Sequence, residues 1–224
     1  MKNLITIFCF VVLNSCGPKL NSEKHLDIDK NVYQSATINN QEWLISNLNV
    51  TKFSNGDNII QSKSFSDWSK ALKTRTPSWC YYDFDSTSKN ILYNYYCINN
   101  ERSIAIEGWK VPSYKDFEIL ENYLDDGNER NAGYKMKSLT DWGEELYDNG
   151  VFDINGSNES LFNAKPTGIL WEDSFSSITA TGWWCVSKNE PGSYFTLQWA
   201  YGSELFDKIN HELSYGLSIR LIKK

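Results

Sequence analysis

The residue best placed to carry chemistry near the start of the chain is a cysteine, Cys16. Lys2 precedes an apolar run from Leu4 to Leu13, and Leu13, Ser15 and Cys16 fit the pattern Leu-x-small-Cys. A charged start, an apolar stretch of about ten residues and a small residue before the cut are typical of an export signal, and the stretch is too short to span a bilayer. We therefore expect cleavage before Cys16 and lipid attachment to its thiol. The alternative is an ordinary export signal with an incidental cysteine.

Three further cysteines follow Cys16. In an oxidising compartment Cys80 and Cys97 could form a disulfide and leave Cys185 unpaired, although sequence alone does not fix the connectivity. The alternative is that all three are small, buried apolar residues. The chain has only two histidines and no Cys-x-x-Cys pair, so we expect no metal site and no cofactor.

Aromatic side chains are the other group that could bind a ligand. The chain has nine tryptophans and thirteen tyrosines, and flat rings can stack on sugar faces while neighbouring polar groups supply hydrogen bonds. Trp171, beside Glu172 and Asp173, and Trp199 with Tyr201 in a polar hairpin are the candidates for exposure. Packing in the core is the alternative for each. We treat Trp171, Trp199 and Tyr201 as candidate ligand-binding residues.

Composition excludes one large class of partners. The formal net charge is −6, and no cluster of Lys and Arg forms a basic stripe, whereas a nucleic-acid binder needs such clusters to neutralise phosphates. About two hundred residues after the signal suit one domain with a full core. We expect a signal peptide over 1–15, a flexible lipid-anchored tether over 16–31 and one folded domain over 32–224.

Short strands and two clear helices are expected to position these residues. Asn39-Asn40 predicts the turn of a hairpin between residues 36–38 and 42–45. Ser64 and Ser113 predict the starts of two helices, because each can cap a following apolar-periodic stretch. A third short helix is predicted over 132–139, and strands are predicted over 183–187, 194–201 and 215–222. In the last strand, apolar residues alternate with more polar ones, including Arg220. Helices early and strands late indicate an α+β fold.

A series of short blocks supports a family resemblance. The blocks are Gln41–Val50, Asn55–Asp57, Trp79–Tyr82, Leu92–Tyr96, Gly108–Ser113, Asn158–Ser160, Gly182–Trp184 and Gly216–Arg220. In this order they resemble the Fibrobacter succinogenes major paralogous domain and cover nearly all of the chain from Val32 to Lys224. Leu221 and Cys185 stand where that family usually has cysteine and serine, which puts its usual disulfide in doubt here.

A more distant resemblance concerns the fold. Pro112-Ser113 before Asp116-Phe117, and the block Gly216–Arg220, are similar to the formylglycine-generating-enzyme group of the C-type lectin-like fold. The resemblance implies that the last strand, 215–222, lies near the hairpin 38–45.

The same resemblance implies two kinds of functional site. One is a cysteine-based active site, for which Cys185 is the only cysteine in the right region, although its apolar flanks favour a packed residue. The other is a calcium loop, which usually contains the sequence Glu-Pro-Asn. Asn189-Glu190-Pro191 contains the same three residue types in another order and is better interpreted as a turn. We therefore expect no catalytic residue.

The expected protein is lipid-anchored in the cell envelope, at the outer membrane, with one α+β domain of C-type-lectin-like fold. Its expected function is binding or adhesion, with a glycan or another envelope protein as partner and no nucleic acid. A structural or interaction lipoprotein without a small-molecule site and an enzyme related to the formylglycine-generating group are the alternatives. The side of the membrane stays open.

Overall fold

The computed structural model describes most of the chain. The described residues are 17–125, 131–147, 150–171, 173–176, 178–186, 193–200, 203–209 and 213–224. The export signal and the lipidation candidate Cys16 therefore lie outside the described residues. Among the helices of the described part, none is long and apolar enough to cross a membrane.

Helices and short strands alternate along the described part of the chain. The helices are α1 Phe65–Lys73, α2 Tyr95–Ile98, α3 Tyr114–Leu124 and α4 Asn131–Met136, with a 3-10 turn at Tyr82–Phe84. The strands are β1 Lys19–Leu26, β2 Val32–Ile38, β3 Gln41–Leu44, β4 Ile60–Gln61, β5 Ser78–Tyr81, β6 Ile91–Tyr93, β7 Trp109–Lys110, β8 Glu144–Tyr147, β9 Gly150–Asp153, β10 Leu170–Trp171, β11 Ser174–Phe175, β12 Ala180–Trp184, β13 Tyr194–Ala200, β14 Ser203–Ile209 and β15 Ile222–Lys223. Most strand pairs are antiparallel, which confirms the predicted α+β class.

The largest sheet brings the two ends of the described chain together. Its strand order is β1-β2-β3-β15-β7. β2 and β3 form the predicted hairpin, with Ile38 paired to Gln41, and Asn39 takes the left-handed conformation (φ 54°) that suits a tight hairpin turn. Ile222 of β15 pairs with Trp43 of β3, so the predicted return of the chain end to this hairpin is confirmed.

The predicted flexible tether over 16–31 is wrong for most of its length. Lys19–Leu26 forms β1, the edge strand of the large sheet, paired antiparallel with β2. Asp29 then accepts hydrogen bonds from the backbone N and Oγ1 of Thr51 at 2.6 and 2.8 Å. An edge strand is held mainly by backbone hydrogen bonds and leaves most of its side chains in water, so a polar composition fits it as well as it fits a spacer.

Both predicted helix starts are confirmed. Before α1, Ser64 Oγ accepts a hydrogen bond from Asp67 N at 3.2 Å. Before α3, Ser113 Oγ accepts from Asp116 N at 3.3 Å while the Asp116 carboxylate accepts from Ser113 N at 2.7 Å. This reciprocal pair is a capping box. The buried face of α3 consists of Phe117, Leu120 and Leu124, as the sequence spacing predicts.

The capping box yields the first testable prediction. Ser113→Ala removes the acceptor for Asp116 N, and we expect the free energy of unfolding to fall by about 1 kcal/mol. Urea denaturation of the full-length protein in detergent measures the change. Ser113→Thr keeps an acceptor at the same position and is expected to retain most of the stability. Equal losses in both variants would contradict the capping role.

One buried segment, 216–222, connects the separate sheets. The backbone of this segment forms hydrogen bonds with Leu44 of the large sheet. It also forms backbone hydrogen bonds with Tyr93, Leu170, Gly182 and Trp184 in the other sheets. Alternation usually leaves the polar residues of a strand exposed, but Ser218 and Arg220 here are as buried as their apolar neighbours. The segment is covered on both faces, and regular strand pairing begins only at Ile222.

The remaining predicted elements need small changes of boundary. The third helix, predicted over 132–139, is α4 and ends at Met136. The strand predicted over 183–187 is β12 and already begins at Ala180. The strand predicted over 194–201 is β13, which pairs with both β12 and β14.

Candidate functional site: the Arg220 groove

A cavity of about 370 Å³ opens where five segments of the domain meet. Its lining residues are Asn31, Val32, Tyr33, Ile45, Ser46, Asn47, Leu48, Asn49, Lys89, Asn90, Ile91, Asn163, Lys165, Thr167, Ser218 and Arg220. We call this cavity the Arg220 groove. Its volume falls within the range of about 300 to 1,000 Å³ that is usual for small-molecule sites.

Arg220 is fixed at the inner side of the groove by neutral acceptors. Its Nε and Nη2 donate to Asn47 Oδ1 at 2.9 and 2.7 Å. Its Nη1 donates to the carbonyl oxygens of Leu44 and Phe162 at 3.0 and 2.6 Å. The guanidinium also lies over the Phe162 ring, 4.3 Å from the centroid, a cation–π arrangement. The side chain is only 1% exposed, so its orientation is set by the fold.

Asn47 links Arg220 to the core. Besides the two bonds from Arg220, its Oδ1 accepts a hydrogen bond from Trp183 Nε1 at 2.9 Å. Trp183 belongs to β12, Asn47 follows β3 and Arg220 lies just before β15. One amide oxygen therefore joins three distant parts of the chain at the wall of the groove.

The charged residues that line the groove in the described structure are all basic. Burial lowers the pKa of Arg220 to about 9, which still leaves it charged at neutral pH. Lys165 Nζ forms an ion pair with Asp141 Oδ2 at 2.9 Å. Lys89 is exposed at the rim, and no acidic side chain is among the lining residues of the described structure.

The aromatic residues singled out from the sequence lie elsewhere. Trp171 is 54% exposed at the end of β10. Its ring meets that of Tyr215 at a centroid distance of 6.1 Å with the planes 61° apart, so these two rings do not form a flat platform. Trp199 lies in β13 opposite Glu204, but its side chain and the whole of Tyr201 lie outside the described residues. A ligand-binding role for these residues stays a prediction.

The structure contains Cys80 and Cys97 as free, buried thiols rather than as the suggested disulfide. Cys80 packs in a small cluster with Trp68 and Leu92. Cys97 belongs to the largest core cluster, and its Sγ donates to Ser78 O at 3.3 Å. Burial raises the pKa of both thiols, which lowers their reactivity as nucleophiles. Pairing in an oxidising compartment stays a prediction.

Neither of the two sites that the distant resemblance implies, the cysteine-based active site and the calcium loop, coincides with the groove. Cys185 is fully buried in the apolar cluster that contains Trp183 and Phe117, and it does not line the Arg220 groove. Asn189-Glu190-Pro191, interpreted as a turn, lies outside the described residues. In the part of the chain that the structure describes, no group of three or more His, Cys, Asp or Glu side chains could hold a metal ion.

Sequence reasoning did not assign Arg220 or Asn47 to a site. Both residues stand in blocks that carry the family resemblance, Gln41–Val50 and Gly216–Arg220, and Arg220 is one of the more polar residues in the predicted last strand. The available signal was a charged residue flanked by Ile219 and Leu221 in the terminal strand, because a buried charged residue is more informative than a buried apolar one.

The fold and the groove define a class of protein: an α+β domain with a small, polar, positively charged cavity built by a buried arginine. The chain matches the model of the Fibrobacter succinogenes major domain (Fib_succ_major) over residues 36–223. The protein therefore belongs to this family, as its sequence blocks predict. Comparisons with curated proteins and with solved structures returned no match, so the C-type-lectin-like fold and the likeness to the formylglycine-generating group stay predictions.

Proposed function

We propose that the protein is a lipid-anchored binding protein of the bacterial cell envelope that recognises a glycan in the Arg220 groove. The observation that carries the proposal is the polar lining of the groove. Five asparagines contribute amide groups, and Ser46, Thr167 and Ser218 contribute hydroxyls around a cavity of about 370 Å³. Sugars present many hydroxyls, and amides that both donate and accept hydrogen bonds match them.

The proposed lipid at Cys16 would place the domain close to the membrane. β1 begins at Lys19, and the three residue steps from Cys16 to Lys19 span at most about 10 Å. The groove would then act on material near the outer membrane rather than at the end of a long tether.

The lining supports binding in preference to catalysis. Glycoside hydrolysis commonly uses two carboxyl groups, one as acid and one as base or nucleophile. Among the described lining residues there is no Asp, Glu, His or Cys. The hydroxyls of Thr167 and Thr181 bond to each other at 2.6 Å, and the Ser218 hydroxyl donates to Thr167 at 3.1 Å. These hydroxyls bond to one another, and the described lining residues include no carboxylate or imidazole that could act as their base.

A glycan array, probed with the full-length protein extracted from membranes in detergent, tests glycan binding. Recovery of the protein in the membrane fraction tests the lipid anchor. We expect selective binding of one glycan class. Asn49→Ala removes an exposed amide of the rim, and we expect it to weaken binding about 3- to 10-fold, the value of one hydrogen bond. Asn40→Ala, at the exposed β2–β3 turn, is the matched control and should bind as the wild type does.

The proposal is wrong if no glycan binds, or if Asn49→Ala and Asn40→Ala bind as the wild type does. A soluble fraction that holds all of the protein would exclude the anchor.

One observation favours the second candidate function, a structural or interaction protein of the envelope. Leu146 and Val151 face each other across β8 and β9, and they are 75% and 64% exposed. Contiguous exposed apolar surface is a common feature of contact sites for other proteins, and this pair could form part of one. A stoichiometric partner that co-purifies with Asn49→Ala but is lost from Leu146→Ser would support this candidate.

A further inference from the structure

The sign of the charge in the Arg220 groove is opposite to that of the whole chain. The chain has a formal net charge of −6, yet the lining contains Lys89, Lys165 and Arg220 and, within the described residues, no carboxylate. Two lysines that line another cavity, by contrast, face carboxylates: Lys110 pairs with Asp116 at 2.8 Å and Lys223 with Glu42 at 2.8 Å. A chain that is acidic overall thus contains a cavity whose charged lining residues, within the described structure, are all cations.

Arg220 supplies a buried charge that the fold does not neutralise. Four of the five N–H hydrogens of a guanidinium are used, on Asn47 Oδ1 and on the carbonyl oxygens of Leu44 and Phe162. All of these acceptors are neutral, and no carboxylate pairs with Arg220 among the described residues. One Nη2 hydrogen has no acceptor there. A buried charge held only by neutral acceptors is costly, and an anion in the groove would offset that cost.

Lys89 supplies a second charge, at the opening. It lies on the rim, two residues before β6, and it is exposed. Within the described structure its ammonium group forms no ion pair. Lys165, by contrast, is already paired with Asp141. Lys89 is therefore the rim cation that is available to a ligand.

We infer that the Arg220 groove binds the carboxylate of an acidic sugar, with Lys89 at the rim and Arg220 at the inner wall as the attracting charges. The inference deepens the proposed function and rests on it: the glycan is a polysaccharide that contains uronic acid. The asparagine amides then contact the sugar hydroxyls. A neutral sugar would fill the same cavity but leave both cations without an anion.

The test compares three probes by calorimetry on the full-length protein in detergent: a trimer of uronic acid, its methyl ester and a neutral hexose trimer. The ester keeps the size and nearly the shape of the acid but removes its charge. We expect the acid to bind at least 10-fold more tightly than the ester, and we expect this difference to shrink as salt is raised, since salt screens exposed charges.

Lysine variants locate the effect. Lys89→Gln is expected to lower the affinity for the acid about 3- to 10-fold and to leave affinity for the ester unchanged, while Lys89→Arg keeps the preference for the acid. Lys63→Gln is the matched control, because Lys63 is also exposed and lies outside the groove. Unchanged melting temperatures in all three variants show that the fold is intact.

The outcomes separate the inference from the proposed function. Equal affinity for acid and ester, or an unchanged acid preference in Lys89→Gln, overturns the anion inference while glycan binding stands. Binding of none of the three probes, together with an empty glycan array, overturns both.

Discussion

Replacing Arg220 with leucine is expected to lower the free energy of unfolding by about 3 kcal/mol or more. The change removes the donors of four hydrogen bonds and leaves the carbonyl oxygens of Leu44 and Phe162 without them. Each buried acceptor that loses its partner costs about 1 to 3 kcal/mol. Relief from burying a charge offsets part of this loss, but domains have only about 5 to 15 kcal/mol in total. Urea denaturation of the full-length protein in detergent measures the change.

Two further variants show whether the shape of the guanidinium or its charge matters. Arg220→Lys keeps the charge but cannot donate as a planar fork to Asn47 and two carbonyl oxygens at once, so we expect it to lose most of the same stability. Arg102→Leu is the matched control, because Arg102 also lies over a phenylalanine ring, that of Phe53, at 4.1 Å. Its side chain is 37% exposed and paired with Asp57, so its loss should stay within about 1 kcal/mol. Similar losses for Arg102→Leu and Arg220→Leu would contradict the structural role of Arg220.

The elements that sequence reasoning found are those whose signals are local. The hairpin around Asn39-Asn40 and the starts of α1 and α3 depend on residues within a few positions of each other. A capping serine and the group that it bonds are three residues apart, as Ser113 and Asp116 are. Short-range chemistry of this kind is visible in one chain without any knowledge of tertiary contacts.

The elements that sequence reasoning missed depend on contacts between residues far apart in the chain. Segment 216–222 is buried on both faces because strands from four sheets pack against it. The alternation of apolar and polar residues within the segment contains no information about these distant strands. The Arg220–Asn47 contact joins residues 173 positions apart. The groove takes its lining from five segments, so no spacing in the sequence marks it.

The error over the tether has a different cause. β1 buries only His25 among its eight residues, and its stability comes from pairing with β2 and from contacts such as His25 with the Trp109 ring at 4.8 Å. The composition of a segment indicates how much apolar surface it can bury, but it does not indicate whether its backbone pairs with another strand. An exposed edge strand and a linker therefore have the same composition.

The second large effect is expected from Gly168→Ala, which should lower the free energy of unfolding by more than about 2 kcal/mol. Gly168 has φ +69°, a conformation in which an L side chain is strained, and an added Cβ would overlap the ring carbons Cδ2 and Cε2 of Tyr82. Tyr82 cannot move freely, because its hydroxyl donates to Ser176 O at 2.7 Å and its ring contacts Phe175 at 5.1 Å. Backbone strain alone costs about 1 kcal/mol, and the displaced ring adds to it.

Two controls separate strain from overlap. Gly56 has φ +92° with nothing within 4 Å of an added Cβ, so Gly56→Ala reports the backbone strain without the clash and should cost about 1 kcal/mol. In a Tyr82→Ala background, Gly168→Ala should cost no more than Gly56→Ala does, since the clashing ring is gone and the two changes are coupled. Chemical denaturation of the four variants supplies the cycle. If Gly168→Ala and Gly56→Ala lose equal stability in the wild-type background, the close approach of Tyr82 to the turn before β10 does not constrain the fold.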